Sequence, residues 1–492
     1  MRGKVKKVEK HLNWKMSKGE RGWYYTSETA RLMTAQIITG FMTVFLLFQG
    51  VNPATVGTAV LLVKIIDAMD DVIFGFLVDK LDLTKWKLTR RIAGEGKYMP
   101  WYRMCFWTFP LATIFFFLMP KSLPEAAKVA WFAVFYLLYD LTCTLSEVPM
   151  STLIVTLTDN SEERNHILTI KGAITVVAAV GVSVVGQFFI SEKVGFSITS
   201  VALVFCAIFF VLMIPMVFKV KEHNVGLKNV EETKEEEKYT VKDMIKCVFT
   251  NKYIFIYFLS MLAYSCLATS AATTTLTGYY IFHDSNIYSY IMLVGFIPGI
   301  ILSFFCDRFV KKLSKRNALV GIYLIIAVAN ILLFFLRGQS IATFVIIGGI
   351  CAIPNALVSI ITNYIAPDTV EYTRYKTGKD CSAIFFSLRS FITKATSGVA
   401  TSLGLFILAI AGWQTIQADS FASLAESNIQ QTAGALDALW ACSYLVPGIG
   451  CVLAAVIMMF YGLKDEDAQL MAECNAGRIT REECEAKLSK RN

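Results

Sequence analysis

Apolar residues fall in blocks of about 20 along most of this chain, the length at which a helix crosses the hydrocarbon layer of a bilayer. In lipid, a helix is the open-chain way for a segment to satisfy its own backbone. Twelve such spans are expected, near 29–49, 56–79, 100–120, 126–150, 168–190, 195–218, 253–275, 285–306, 317–337, 341–363, 384–411 and 436–462. The polar segments between them alternate in charge. Basic residues gather in the N-terminal stretch, Lys80–Lys97, Thr158–Lys171, Lys219–Lys252, Asp307–Arg316, Glu371–Lys379 and the C-terminal tail, whereas Gly412–Gly434 has neither lysine nor arginine. An even number of spans with this bias places both termini on the cytoplasmic side.

Composition sharpens this picture. Hydrophobic residues make up 55% of the 492 positions and charged residues 17%, against roughly 25% charged in soluble domains. Mean hydropathy is +0.53. The net charge of +9 raises nucleic-acid binding as a possibility, but the basic residues sit between apolar blocks, where they orient membrane helices instead. The basic N-terminus lacks the short apolar core and small-residue cleavage site of a signal peptide. The twelve cysteines are scattered, mostly through apolar segments, and there are only four histidines. The cysteines therefore read as small buried hydrophobes, and no metal centre is expected from them.

The middle of the chain divides it. Residues 219–252 include the run EETKEEEK, which cannot lie in lipid, with six spans before it and six after. A faint echo links the halves: Gly75-x-x-x-Asp79-Lys80 follows the second span and Ser303-x-x-x-Asp307-Arg308 the eighth. The expected organisation is a basic cytoplasmic N-terminus (1–28), a six-helix bundle (29–218), a cytoplasmic linker (219–252), a second six-helix bundle (253–462) and a cytoplasmic tail (463–492). Two such halves with a binding site between them, near the midplane, form a common transporter plan.

Charges inside the spans carry the chemistry. The second span contains Lys64, Asp67, Asp70 and Asp71. Each mid-helix charge costs roughly 2.5–3.5 kcal/mol to insert, so four need a reason. Helical spacing puts Asp67 and Asp71 one turn apart, with Lys64 a turn before Asp67 and Asp70 on the neighbouring face. Clustered carboxylate oxygens suit a hard cation or a proton; the structural alternative is a charge cluster that Lys64 neutralises. Glu147 lies in the fourth span with Thr144 nearly a turn before it, and Lys394 lies in the eleventh. This acid and this base, from opposite halves, stand where they can meet near the centre, around a ligand or as an ion pair. Arg31, near the start of the first span, reads as snorkelling to the interface. Trp23, Tyr24, Tyr25 and Trp101 read as an interfacial belt.

Three separated blocks then carry a family resemblance that spans most of the chain. Asp67-Ala-Met-Asp-Asp71-x-x-x-Gly75, followed by Gly94-Glu-Gly-Lys97-Tyr-Met-Pro100-Trp101, resembles the glycoside–pentoside–hexuronide:cation symporters, which read Trp-Asp-Ala-x-Asn-Asp-Pro-x-x-Gly and then Gly-Lys-x-x-Pro-Trp. Glu147-Val-Pro149 through Leu157-Thr-Asp159-Asn-Ser-Glu-Glu-Arg164 is similar to the family segment ending in Asp-Glu-Arg. Pro367-Asp-Thr-Val-Glu371-Tyr372 through Lys376-Thr-Gly-Lys379 and on to Lys394 is similar to its Asp-Thr-Val-Asp-Tyr-Gly-Glu-x-Lys-Thr-Gly-Lys run.

The resemblance implies an all-α membrane protein with twelve transmembrane helices in the major facilitator fold. It implies symport of a sugar, glycoside or uronide with Na⁺ or H⁺, in a bacterial inner membrane. It assigns the coupling cation to Asp67, Asp70, Asp71 and Thr144, and sugar binding to Glu147, Lys171, Lys394 and a first-helix acid for which Glu28 is the nearest counterpart, Arg31 occupying the position itself. Asp79, Arg308 and Arg164 are expected to act in gating. The chain departs from the pattern where Asp70 stands for Asn, Val72 for Pro and Ile66 for Trp. No cofactor is expected beyond the coupling cation. The expected partners are a small sugar and membrane lipid, with no nucleic acid, and a monomer carries all that a cycle requires. A lysolipid or other amphiphile carrier, or a ligand sensor, are the competing readings. An enzyme is not expected: no Ser-His pairing, HExxH or GxxxxGK[ST] occurs.

Overall fold

The computed structural model describes residues 14–80, 83, 98–158, 160–223, 251–378 and 382–489. Among them the structure is helical, and the one β-contact is an isolated bridge between Gln49 and Gln417. Nine of the described helices are long and apolar enough to cross a membrane. The other three expected spans coincide with a charged 28-residue helix, α2 (Pro53–Lys80), a broken pair, α3 (Met99–Cys105) and α4 (Thr108–Phe117), and a 17-residue helix, α10 (Ile287–Ser303).

The chain packs as two compact units. The first comprises Met1–Thr55, Met69–Glu236 and Thr415–Ile429; the second comprises Val56–Ala68, Glu237–Gln414 and Gln430–Asn492. Two short stretches, Val56–Ala68 and Thr415–Ile429, thus pack away from their sequence neighbours.

In the first unit, α1 (Lys18–Phe48) starts at a capping box in which Ser17 and Glu20 satisfy each other's backbone N–H. Its apolar face packs against α6 (Ser161–Ile190) and α7 (Ile198–Lys219). Contact with α6 is close because Gly186 sits under Phe41: a Cβ there would lie 2.6 Å from the ring. At the far end, the Lys128 ammonium is buried and donates to the Gln49 carbonyl at 2.7 Å, a cation at a helix C-terminus. Lys128 belongs to α5 (Glu125–Leu157), which packs on α3 (Met99–Cys105) and α4 (Thr108–Phe117). Residues 415–429 close the end of this unit. Ala418 N–H donates to the Phe48 carbonyl at 3.0 Å and Ile198 N–H to the Asp419 carbonyl at 2.8 Å. Fully buried Phe421 meets Phe48 edge-to-face at 5.1 Å, and Lys121 pairs with Asp419 at 2.7 Å.

In the second unit, α8 (Lys252–Tyr264) is capped by Asn251, whose Oδ1 accepts from Tyr253 N–H and whose amide donates to Thr373 Oγ1 at 2.7 Å. A 3₁₀ turn, Ser265–Ala268, joins it to α9 (Thr269–Phe282). Next come α10 (Ile287–Ser303), α11 (Cys306–Leu313), α12 (Lys315–Phe335), α13 (Ile341–Ala352), α14 (Asn355–Thr377) and α15 (Ser382–Ile410). The break between α13 and α14 falls at Pro354, which cannot donate a backbone bond. After the short α16 (Phe421–Ser427), α17 (Ala433–Trp440) runs through a π-helical turn at Ala441–Leu445 into α18 (Val446–Met459). The π turn precedes Pro447, whose missing N–H frees the carbonyl one turn earlier.

Several helices continue past the expected spans. α14 is helical to Thr377 through a stretch read as loop, and α6 begins at Ser161, well before its apolar block. Apolar length marks where a helix meets lipid, not where its hydrogen bonds end. The tail also folds. α19 (Asp465–Asn475) and α20 (Arg481–Ser489) pack into the second unit's core through Ala468, Met471 and Cys484. Asn475 donates to the Glu371 carboxylate at 2.6 Å and to its carbonyl at 3.0 Å, pinning α19 to α14.

Candidate functional site

α2 (Pro53–Lys80) carries the charged segment. Its stretch Val56–Ala68 packs along α15 through small residues. A Cβ on Gly398 would lie 2.6 Å from Lys64 Cβ, and one on Gly57 would lie 3.3 Å from the Ser402 carbonyl and Leu405. The Ser402 hydroxyl donates to the Gly57 carbonyl at 2.7 Å. This close approach brings Lys394 of α15 to Asp67 of α2. Asp67 Oδ1 accepts from Lys394 at 2.7 Å and Oδ2 from Lys64 at 2.9 Å. The carboxylate side chain is only 3% exposed, while Lys64 and Lys394 are 22% and 31% exposed. One buried anion thus holds two cations that keep partial contact with their surroundings. Contact between opposite charges lowers the cost of holding all three inside an apolar span.

The first unit holds a second cluster. Glu28 on α1 accepts from Arg31 Nε at 2.9 Å and Nη2 at 3.0 Å, and from Lys171 of α6 at 2.9 Å. Glu28 and Arg31 are both buried. Arg31 therefore does not snorkel: a carboxylate three residues earlier, on the same face, holds it inside. Lys171 also sits over the Tyr24 ring, 5.8 Å from its centroid. Tyr24 was expected in the interfacial belt, but its ring is fully buried beside Glu28 and Arg31. On α5, Thr144 is buried and Glu147 is exposed, within electrostatic reach of Arg31.

The remaining sequence candidates fall as follows. The side chains of Asp70, Asp71 and Asp79 lie outside the described residues. Arg308 is exposed at the start of α11, over the Phe305 ring at 5.6 Å. Arg164 donates to the Thr158 carbonyl at 3.2 Å, at the start of α6. Its neighbour Glu163, not singled out in the sequence, is the better-connected residue. Fully buried, it accepts from Thr158 Oγ1 at 2.6 Å and from the backbone of Lys15 at 3.0 Å and Met16 at 3.2 Å. It anchors the segment before α1. The only available signal was its place in a charged turn after an apolar block, which many loops share.

The description "MFS/sugar transport protein" belongs to the family model that matches residues 24–465. The chain belongs to this family. It is a multi-pass membrane protein with a transporter fold. The chain is 23% identical over 466 residues to the isoprimeverose transporter of Lactiplantibacillus pentosus, covering 92% of this chain and 90% of that one. It is also 23% identical to the sodium-dependent lysophosphatidylcholine symporter 1-A of Danio rerio, covering 79% and 77% of the two chains. Among solved structures, the nucleoside transporter NupG aligns with a TM-score of 0.60 at 12% identity, covering 90% of this chain and 99% of that one. That likeness supports the major facilitator fold.

Proposed function

We propose that this protein is a secondary active transporter that couples entry of Na⁺ or H⁺ to uptake of a sugar, glycoside or uronide by alternating access. The observation that carries the coupling is the buried Asp67 carboxylate, held by Lys64 and Lys394 within membrane-spanning helices. A cation that binds Asp67, with Asp70, Asp71 and Thr144 as further oxygen ligands, has to displace ammonium groups already there. Binding then releases Lys394, on another helix, and links site occupancy to helix movement. Sugar binding falls to Glu28, Glu147, Lys171 and Lys394. Linkage makes the effect mutual: whatever cation binding does for sugar affinity, sugar binding does for cation affinity.

In this reading the cycle follows the two-halves plan, with six spans on either side of residues 219–252 in the sequence. Asp79, Arg164 and Arg308 act at the cytoplasmic gate. The alternation of basic loops supports an orientation with both termini cytoplasmic in a bacterial inner membrane, and a monomer is the working unit proposed.

The test is uptake by proteoliposomes under an imposed Na⁺ gradient and then a proton gradient, with a panel of labelled glycosides. Accumulation above equilibrium under one gradient is the expected result. Asp71→Cys should abolish accumulation while leaving downhill flux; unchanged accumulation would remove the cation role from that cluster. An amphiphile carrier is the second reading, favoured by the lysophosphatidylcholine relative. Accumulation of a lysolipid with no accumulation of any sugar would establish it instead.

A further inference from the structure

Most cysteines of this chain lie in apolar segments, where a thiol behaves as a small hydrophobe. Cys474 and Cys484 do not: they lie in the charged tail, beyond the last apolar block. Cys474 is in the last turn of α19 and Cys484 in the first turn of α20. The chain reverses between them at Gly477, which takes φ +72°. Cys484 is the residue that α20 buries, and it is 0% exposed. Its Sγ donates to the Leu470 carbonyl of α19 at 3.7 Å. Leu470 lies one turn before Cys474, and a helical side chain leans over the turn before its own Cα. Cys474 therefore covers the same turn that Cys484 touches. The two thiols are neighbours, and Tyr375 of α14 lies beside both. Cys474 is half-buried and open to water, whereas Cys484 is enclosed.

α20 is short and polar, and a helix of that length is not stable alone. It is held by Cys484, by Ile479 and Leu488 against the core, and by Arg481 over the Tyr375 ring at 5.5 Å. We propose that Cys474 and Cys484 form a reversible dithiol–disulfide site that staples the two tail helices together in response to a hydroperoxide. The half-buried Cys474 sulfur attacks the peroxide O–O bond and gains one oxygen as sulfenic acid, while the other oxygen leaves as water or an alcohol. The Cys484 sulfur then attacks the Cys474 sulfur. The S–S bond forms, the S–O bond breaks, and the hydroxyl leaves with the Cys484 proton as water. The thiol pair has lost two electrons and the peroxide has gained them. A dithiol reductant reverses the step through a mixed disulfide. Burial pushes the Cys484 thiol up, so the first attack falls to Cys474. On the cytoplasmic side proposed for the tail, such a disulfide is transient and reports redox state instead of maintaining the fold.

The experiment treats the purified full-length protein with hydrogen peroxide, alkylates it and digests it with trypsin. Trypsin cuts after Arg478 and Arg481, between the two cysteines, so the disulfide shows by mass spectrometry as residues 465–478 joined to residues 482–487. The expected result is loss of both free thiols together, appearance of that linked pair, and its disappearance after dithiothreitol. Cys484→Ser should stop the reaction at the Cys474 sulfenic acid, captured by dimedone, and Cys484→Ala should do the same without a hydroxyl in the buried site. Retention of both free thiols in the unaltered protein overturns the inference. So does oxidation of Cys474 to sulfinic or sulfonic acid with no linked pair, or a linked pair that forms only in denaturant. None of these outcomes bears on the transport reading.

Discussion

Replacing Lys64 with methionine removes one of the two ammonium groups on Asp67 but leaves the other. The carboxylate is not stranded, because Lys394 still donates to Oδ1 at 2.7 Å. The bond to Asp67 that is lost is the 2.9 Å contact to Oδ2. A charged hydrogen bond contributes about 1.5–3 kcal/mol. Lys64 is 22% exposed, so partial hydration lowers this to roughly 1–2 kcal/mol. In the unaltered protein, an incoming cation has to overcome that competition at Asp67. Lys64→Met should therefore tighten cation binding by roughly 5- to 30-fold, since each 1.4 kcal/mol is a factor of ten. Direct calorimetric titration of the purified protein with Na⁺ gives the dissociation constant, and the cation dependence of uptake gives an independent measure. Coupling should loosen at the same time, because the cation no longer displaces Lys64. Unchanged or weaker cation affinity in a folded variant, under both Na⁺ and H⁺, would refute competition at Asp67.

The second cluster should behave differently when its shared carboxylate, rather than one of its cations, is removed. Glu28→Gln leaves buried Arg31 facing Lys171 without their shared anion. It should destabilise the first unit by about 3–5 kcal/mol, read as a large fall in thermal unfolding temperature in detergent. In the 415–429 segment, Phe421→Ala should cost about 3–5 kcal/mol, because the ring is fully buried. Asp419→Ala should cost no more than about 1 kcal/mol, because Lys121 and Asp419 are 42% and 55% exposed. Equal unfolding temperatures for those two variants would refute burial of the Phe421 ring as the main hold on the segment. Gly450→Ala places a Cβ 2.7 Å from the Ala263 carbonyl and 2.4 Å from Cys266 Cβ, so α8 and α18 have to separate. A loss of roughly 1–3 kcal/mol is expected, measured by the same unfolding assay.

Fold class and family were legible in the sequence alone. Bilayer-length apolar blocks permit little besides helices, because lipid offers no partner for an open backbone. The blocks did not show where helices break. Pro354 and the turn before Pro447 interrupt spans that hydropathy treats as continuous, and α6 and α14 extend into polar segments because hydrogen bonding continues past the bilayer. Among charges, spacing along one helix was readable: Lys64 lies a turn from Asp67 in the sequence and binds it in the structure. Spacing between helices was not. Lys394 sits on Asp67 because Gly57, Gly398 and Ser402 let two helices come close, a matter of side-chain size at positions hundreds of residues apart. Glu28 and Arg31 are neighbours on a helix, yet position near the end of a span favours Arg31 leaving the membrane. What keeps it inside is burial beneath α6 and the added charge of Lys171, and both exist only once the helices have packed. Sequence thus determined which charges enter the membrane and the family the chain belongs to. Tertiary structure decided which charges are paired, because pairing depends on distances that only helix packing sets.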